Sequence, residues 1–372
     1  MPQVSKISRI VLASILKPVD ETRMFEKIGS SLALAGHEVH LIGFPSAKVT
    51  ESNSKISLHP ISSHPFKRLS LTRLFASLRV LRMVLKLKPD YFIITTHELL
   101  FTALWCKLIT GCKVLYDVQE NYYRNIRYTT AFPIGLRSVL ALWVRLKERL
   151  LRPIITTYIL AEKGYAEEMP FMKPHLVLEN KITKATADQY RKKQQSGYAH
   201  LLFTGTLAET TGVFHAIRLT EELHKLDDSF TLTIIGHAPS TSVHNQLLKL
   251  SEQKNFIQYR GSEQPIPHES ILNAIHKADF GIIWYPPNPS TACSIPTKLY
   301  EYMGLHLPVL ISHNAQSEAL VEQNKTGMVL NQKSDYQQLI SEMKNFRFPV
   351  SQENLYFDQD VPSLIQLLGY NK

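Results

Sequence analysis

The chain has 372 residues, 44% of them hydrophobic and 20% charged, ordinary globular usage that excludes a disordered chain, a collagen and a small disulfide scaffold. Its length suits two domains. The net charge of +10 is uneven: residues 1–185 hold 27 Lys and Arg against 14 Asp and Glu, residues 186–372 hold 15 against 18, so the first half suits an anionic partner such as phospholipid, nucleic acid or a phosphorylated substrate.

The apolar run Ile10–Leu16 follows Lys6 and Arg9, but Lys17-Pro18-Val19-Asp20 comes next in place of a small-residue cleavage site. It reads as a buried strand, Arg9–Ile15, not a signal peptide. Glu21–Ala35 is predicted as a helix stopped by Gly36, and Glu38–Phe44 as a second strand. Tyr91–Thr95, Lys113–Val118, Thr156–Leu160 and Leu176–Leu178 are further strands, with helical patterns over Leu71–Leu87, Leu99–Ile109 and Ile134–Leu151. Continuous apolar strands alternating with helices predict a parallel sheet covered on both faces. No run of about 18 apolar residues is free of charge, so a cytoplasmic protein is expected, held peripherally on the inner face of the cell membrane.

Lys181–Ala199 is polar and reads as a linker, with 183–199 as its core. The alternation then restarts: strands at His200–Thr204, Thr231–Ile235, Ile257–Tyr259, Phe280–Trp284, Pro308–Ile311 and Met328–Leu330, with a helix at Val213–Leu226. The expectation is two Rossmann-like α/β/α domains, 1–182 and 200–350, facing a cleft at the carboxyl ends of their strands. A tail over 351–372 would hold a short helix at Pro362–Leu368, packing back on the N-terminal domain.

Ser294-Ile295-Pro296-Thr297-Lys298-Leu299-Tyr300-Glu301-Tyr302-Met303-Gly304 is the most informative segment. Pro296 suits a helix start, and backbone N–H groups there suit a diphosphate. Lys298 adds a cation, and Glu301, one turn on, is placed to accept hydrogen bonds from two ribose hydroxyls. The plain alternative is an exposed Lys–Glu pair on a surface helix. Gly205-Thr206 ends a strand where backbone N–H groups can approach phosphate, or is only a tight turn. Arg260 before Gly261 would reach the nucleotide, or is a surface charge.

Pro296-Thr297-Lys298-Leu299-Tyr300-Glu301-Tyr302-Met303, followed by Leu307-Pro308-Val309, resembles the donor-site segment of retaining GT-B glycosyltransferases of family 4. Phe203-Thr204-Gly205-Thr206-Leu207, Ile234-Ile235-Gly236, Tyr259-Arg260-Gly261 and Gly36-His37-Glu38-Val39 agree with it. Asp20-x-x-Arg23, His97-Glu98 and Tyr116-Asp117-Val118-Gln119-Glu120 resemble a bacterial subgroup that carries Asp-Val-His-Glu at the last element. The resemblance implies a GT-B fold, a nucleotide-sugar donor and retention of configuration. Three positions depart from it. Cys293 stands eight residues before Glu301, where many members carry a first glutamate. Thr211 replaces the cation of the first donor loop, and Gln119 replaces the subgroup's histidine. Lys298 would then supply the missing cation and the backbone of Cys293–Ile295 would hold the sugar.

His97 follows a predicted strand and would bond a sugar hydroxyl or shuttle a proton; a helix-start cap is the alternative. Asp117 and Glu120 either converge on the same mouth or cap the next helix. Asp20 and Arg23 either bind acceptor or pair with each other at i, i+3. Lys67–Lys88 carries seven Lys and Arg interleaved with leucine and valine and no acid, a basic amphipathic stretch suited to an anionic membrane surface. Arg137, Arg145, Lys147, Arg149 and Arg152 form a second. Neither a nucleic-acid motif nor a Walker A, His-Glu-x-x-His or Gly-x-Ser-x-Gly motif occurs. The three cysteines, Cys106, Cys112 and Cys293, are odd in number and without Cys-x-x-Cys spacing, which argues against a disulfide framework or a zinc–cysteine site and for a reducing compartment.

The expected protein is a glycosyltransferase (hexosyl- or N-acetylhexosaminyl-) using a UDP-sugar, or a GDP-sugar, on a lipid-linked or polysaccharide acceptor. It needs no cofactor and no metal, and binds no nucleic acid. A sugar-nucleotide epimerase and a catalytically degenerate nucleotide-binding scaffold are the alternatives.

Overall fold

The computed structural model describes residues 7–45, 55–64, 66, 71–129, 132–191, 197–286, 289, 294–331, 335–349 and 353–369. The chain divides into two units: Met1–Asn180 with Phe357–Lys372, and Lys181–Tyr356.

The first unit holds a seven-stranded parallel sheet. Its strands are β1 (Arg9–Pro18), β2 (Glu38–Phe44), β3 (Ile56–Pro60), β4 (Tyr91–Ile94), β5 (Lys113–Val118), β6 (Ile155–Leu160) and β7 (His175–Val177), in the order β3-β2-β1-β4-β5-β6-β7. Alternate strand residues feed two cores. Val11, Ala13, Phe92 and Ile94 pack with helices α2 (Leu71–Leu87) and α3 (Leu100–Thr110) on one face. Ile10, Leu12, Tyr91 and Ile93 pack on the other face with Met24, Ile28 and Leu32, which lie on a π-helical segment Arg23–Gly29 running into α1 (Ser30–Leu34). Both faces of the sheet are covered, which is why its strands are apolar throughout instead of alternating. Three elements lacked a clear periodic signal: β3, α4 (Tyr122–Tyr128) and α6 (Gly164–Glu168), all seven residues or shorter. Between α4 and β6 runs α5 (Ile134–Leu150).

The second unit has six parallel strands. They are β8 (His200–Thr206), β9 (Thr231–His237), β10 (Ile257–Ser262), β11 (Phe280–Ile283), β12 (Val309–Ser312) and β13 (Gly327–Leu330), ordered β10-β9-β8-β11-β12-β13. Chain direction reverses its course across the sheet between β8 and β11, the switch point where such sheets bind ligands. Its helices are α7 (Lys184–Tyr190), α8 (Val213–Leu226), α9 (Thr241–Gln253), α10 (His268–Lys277), α11 (Thr297–Gly304), α12 (Ala315–Asn324) and α13 (Tyr336–Asn345). The stretch read as a linker thus contains a helix. Thr183 caps it by accepting from the Thr186 N–H, and Ile182 and Ala187 enter the core. Two apolar side chains were too weak a signal among so many polar ones.

The tail forms α14 (Val361–Gly369). Phe357, Leu364 and Leu368 join the core of the first unit on the face that holds Ile10, Leu12, Tyr91 and Ile93, and Tyr91 Oη donates to the Leu368 carbonyl at 2.6 Å.

Candidate functional site

In the second unit the carboxyl edge of β8 is built around Thr204. Tyr302 of α11 lies with its ring against Gly281 of β11, where any Cβ would fall 2.3 Å from Tyr302 Cδ2. Its hydroxyl accepts the Thr204 N–H at 3.1 Å and bonds Thr204 Oγ1 at 2.8 Å. This pins α11, whose N-cap residue is Pro296, to the end of β8, next to the Gly205 turn. Gly205 has φ +95°, a conformation that side-chain-bearing residues rarely adopt. Gly212, at φ +82°, closes the next loop against β11; a Cβ there would sit 1.7 Å from the Trp284 carbonyl oxygen. Thr206 and Gly236 lie on the same edge, Gly236 in register with Gly205.

Lys298 is buried, not exposed on a surface helix. Its Nζ donates to the Thr204 carbonyl at 3.3 Å and stands 3.9 Å from the Phe203 ring centroid and 5.2 Å from that of Tyr285. Burial pulls its pKa down to about 7, and the nearby Glu301 carboxylate opposes that shift. The cation therefore sits beneath the Gly205 turn. Glu301 is half-buried and is paired with His268, Nε2 to Oε1 at 2.9 Å. The exposed Lys–Glu pair is thus excluded. Sequence reasoning missed His268: it is 33 positions from Glu301 and begins a helix on another crossover.

Thr211, in the place of the expected loop cation, is a staple. Its hydroxyl lies 2.6 Å from the Thr206 carbonyl and accepts from the Ala208 N–H at 3.1 Å, so the loop 206–211 is closed on itself. Arg260 does not join the group. It is exposed on the edge strand β10, bonded to Gln258. Cys293 lies outside the described residues.

In the first unit the candidate residues form two clusters. Arg23 does not pair with Asp20. It forks onto Asp117, with Nε at 3.0 Å and Nη2 at 2.7 Å, and donates through Nη1 to the Leu178 carbonyl and Asn180. Arg23 and Asp117 are both buried, and Gln119 donates to Asp117 Oδ2, the oxygen that also accepts from Arg23 Nε, at 2.8 Å. These three brace β1, β5 and the end of β7. Glu120 lies apart, exposed and accepting from Asn125. Asp20 is half-buried on the turn after β1.

The second cluster centres on His97. Lys147 Nζ donates to His97 Nδ1 at 2.9 Å, which leaves the ring proton on Nε2, 3.8 Å from Glu98 Oε2. The ring stands edge-on to Tyr122, and Arg73 pairs with Glu98. Burial lowers the His97 pKa to about 4, Lys147 and Arg73 adding to the shift, Glu98 opposing it. Burial also lowers Lys147 and raises Glu148 to about 7. Lys147 and Arg145 therefore do not belong to a solvated basic face: Lys147 is 6% exposed, and Arg145 turns inward over Tyr123 and Phe171. Among the described residues no group of His, Cys, Asp and Glu could hold a metal, and no helix is long and apolar enough to cross a membrane.

Two parallel α/β units, the second with its switch point at this edge, define the GT-B fold. Solved structures with that fold align over nearly the whole chain. A glycosyltransferase from Rickettsia africae gives a TM-score of 0.64 at 12% identity, covering 98% of this chain and 100% of that one. The catalytic domain of starch synthase IV from Arabidopsis thaliana, bound to ADP and acarbose, gives 0.62 at 11%, covering 97% and 98%. Anabaena HepE in complex with UDP and glucose gives 0.57 at 14%, covering 98% and 96%. Within the second unit, residues 218–356 match the family model of the glucosyltransferase 3-like C-terminal domain. No curated protein matches the chain.

Proposed function

We propose that this protein transfers a sugar from a nucleotide-sugar, with a UDP-sugar favoured over a GDP-sugar, to a lipid-linked or polysaccharide acceptor with retention of configuration, as the resemblance to family 4 implies. The observation that carries the reading is the single edge of the second unit that gathers the Gly205 turn, the first turn of α11 with Lys298 beneath, and Glu301 held by His268. HepE, a protein of this fold, was solved with UDP and glucose, and the matched family model is described as glucosyltransferase 3-like.

In this reading the diphosphate lies on the Gly205 turn and the first amides of α11. Fixed backbone dipoles aimed at a leaving diphosphate lower the barrier without reorganising during reaction. Lys298 adds charge from below, and the incoming phosphates draw a proton onto it. Glu301 accepts from the ribose hydroxyls, and His268 fixes its carboxylate. The first unit takes the acceptor. Its His97, a neutral imidazole with the proton on Nε2, is the group there able to exchange a proton with an acceptor hydroxyl. This chemistry calls for no metal.

The test is thermal unfolding with UDP, GDP, ADP and their sugar conjugates on wild type and Glu301→Ala, followed by product analysis. A ligand at about 100 times its Kd stabilises by roughly 2.7 kcal/mol. Stabilisation by one nucleotide series, lost in Glu301→Ala, supports the site. Release of free nucleotide with sugar on the acceptor supports transfer, and an altered sugar still on its nucleotide would mark an epimerase. Absence of any shift leaves a degenerate scaffold.

A further inference from the structure

Helix α5 buries charge beside the apolar Ala141 and Val144 and exposes most of its large apolar side chains. Its inward face carries Lys147 and Glu148, 6% and 3% exposed, with Arg145 turned the same way. Its outward face carries Val139, Leu142, Trp143, Leu146 and Leu150, each about half exposed or more. The spacing of these five is that of one helical stripe. A helix that covers a sheet normally points its apolar stripe inward, so this one is built for a second apolar environment.

The stripe does not stand alone. Right-handed crossovers between parallel strands put α2, α3 and α5 on the same face of the first sheet. The contacts agree: Thr102 of α3 bonds the Ser77 carbonyl of α2 at 3.1 Å, and Lys107 of α3 bonds the Ile154 carbonyl just after α5 at 2.7 Å. The outward face of α3 adds Trp105, 54% exposed, and Leu108, 67% exposed. Helix α2 adds the exposed Arg79, Arg82 and Lys86. Across the three helices the sole carboxylate is Glu148, and it is buried. The layer thus shows water two tryptophans, a set of leucines and several cations, with no acid.

We infer that this three-helix layer docks flat on an anionic lipid surface, with α5 and α3 entering the acyl boundary and α2 lying on the headgroups. Charge complementarity selects that occupant. A second copy would bring the same cations face to face, whereas anionic headgroups neutralise them while the leucines and tryptophans leave water. The expected basic stretch Lys67–Lys88 supplies part of the charge; Lys67 and Arg68 lie outside the described residues, and Arg73 is spent on Glu98. Most of the apolar contact comes from α5, which the sequence marks only as a second basic stretch, and from α3, which it does not mark at all. This inference stands apart from the glycosyl-transfer reading, since lipid docking requires no turnover.

The chain has three tryptophans, and the third, Trp284, stacks on His215 in the other unit. The experiment mixes the full chain with vesicles of phosphatidylcholine alone or with phosphatidylglycerol, including brominated acyl chains, and reads sedimentation and tryptophan emission. Binding to the anionic vesicles is expected, with a blue shift and bromine quenching that disappear in Trp105→Phe/Trp143→Phe. Leu142→Glu/Leu146→Glu is expected to abolish insertion, and Arg82→Ala/Lys86→Ala to weaken binding roughly tenfold or more. Thermal unfolding and nucleotide protection establish that each variant is folded. Wild type that ignores anionic vesicles, binding unchanged in Leu142→Glu/Leu146→Glu, or a dimer in sedimentation that buries both tryptophans in place of lipid binding would each overturn the assignment.

Discussion

His268 and Glu301 meet at 2.9 Å across two separate crossovers of the second sheet. The contact fixes one carboxylate oxygen, so the other is presented in one orientation. His268→Ala frees the carboxylate to rotate. It is expected to weaken UDP binding by about 1 kcal/mol, roughly fivefold, while His268→Gln, which keeps a donor, retains most of the affinity. Calorimetric titration of UDP reads both variants. Equal affinity for wild type and His268→Ala would remove His268 from the site.

Lys298 carries a pH signature. Its pKa is about 7 when folded against an ordinary 10.5, because burial disfavours the ammonium. Between those values the unfolded chain binds more protons, so stability from this group rises with pH from about 7 to 10.5 and is lost below 7. Lys298→Met is therefore expected to stabilise the second unit at pH 6 by on the order of a few kcal/mol and to make no comparable gain at pH 10. The same variant should bind UDP poorly. Melting curves at the two pH values decide it; a loss of stability at pH 6 would contradict a buried, penalised ammonium.

Glu148 and His97 bracket a pH range from opposite sides. Burial raises Glu148 from 4.5 to about 7, so the stability it contributes is present below 4.5 and is lost as pH rises through 7. Burial lowers His97 from 6.5 to about 4, so its contribution is present above 6.5 and is lost as pH falls through 4. The first unit should be most tolerant between these limits. Glu148→Gln is expected to match wild type near pH 5 and to exceed it at pH 8 by roughly 1–3 kcal/mol. Denaturant titrations at the two pH values measure this, and parallel curves for the two proteins would refute it.

Gly212 tests the packing of the first donor loop. Alanine there needs φ +82° and a Cβ 1.7 Å from the Trp284 oxygen. Gly212→Ala should cost about 2–4 kcal/mol through strain and displaced backbone and reduce nucleotide protection. Gly111→Ala, also at positive φ but with open space around its Cβ, should cost only about 1 kcal/mol. Similar losses at the two sites would mean that the Trp284 contact yields freely.

The sheets were legible because their strands are buried on both faces, so each appears as an apolar run between helical patterns. Pro296, Lys298 and Glu301 were legible for a related reason: a helix start with a cation and an acid one turn apart is a local pattern. Thr211 is visible as a missing cation, but its role as a staple depends on carbonyls brought round by a turn. The Arg23–Asp117 fork spans 94 positions, so nearest-neighbour spacing suggested Asp20 instead. Helix α5 was misread in orientation. Periodicity places Arg145 and Lys147 opposite the leucines, yet it cannot say which face meets the sheet: Glu148 of the same helix is one partner of the buried charges, but Glu98 and the tyrosines come from other strands and helices.

The return of Phe357, Leu364 and Leu368 to the first unit has a consequence for the order in which the protein is made. The sheet of residues 9–177 emerges from the ribosome with one face short of its cover, and the whole second unit is synthesised before that cover arrives. The first unit therefore spends that interval with Tyr91 and its neighbours incompletely shielded, and its final closure waits on residues 357–369. A fragment ending at Asn180 would remain in the state that the growing chain only passes through.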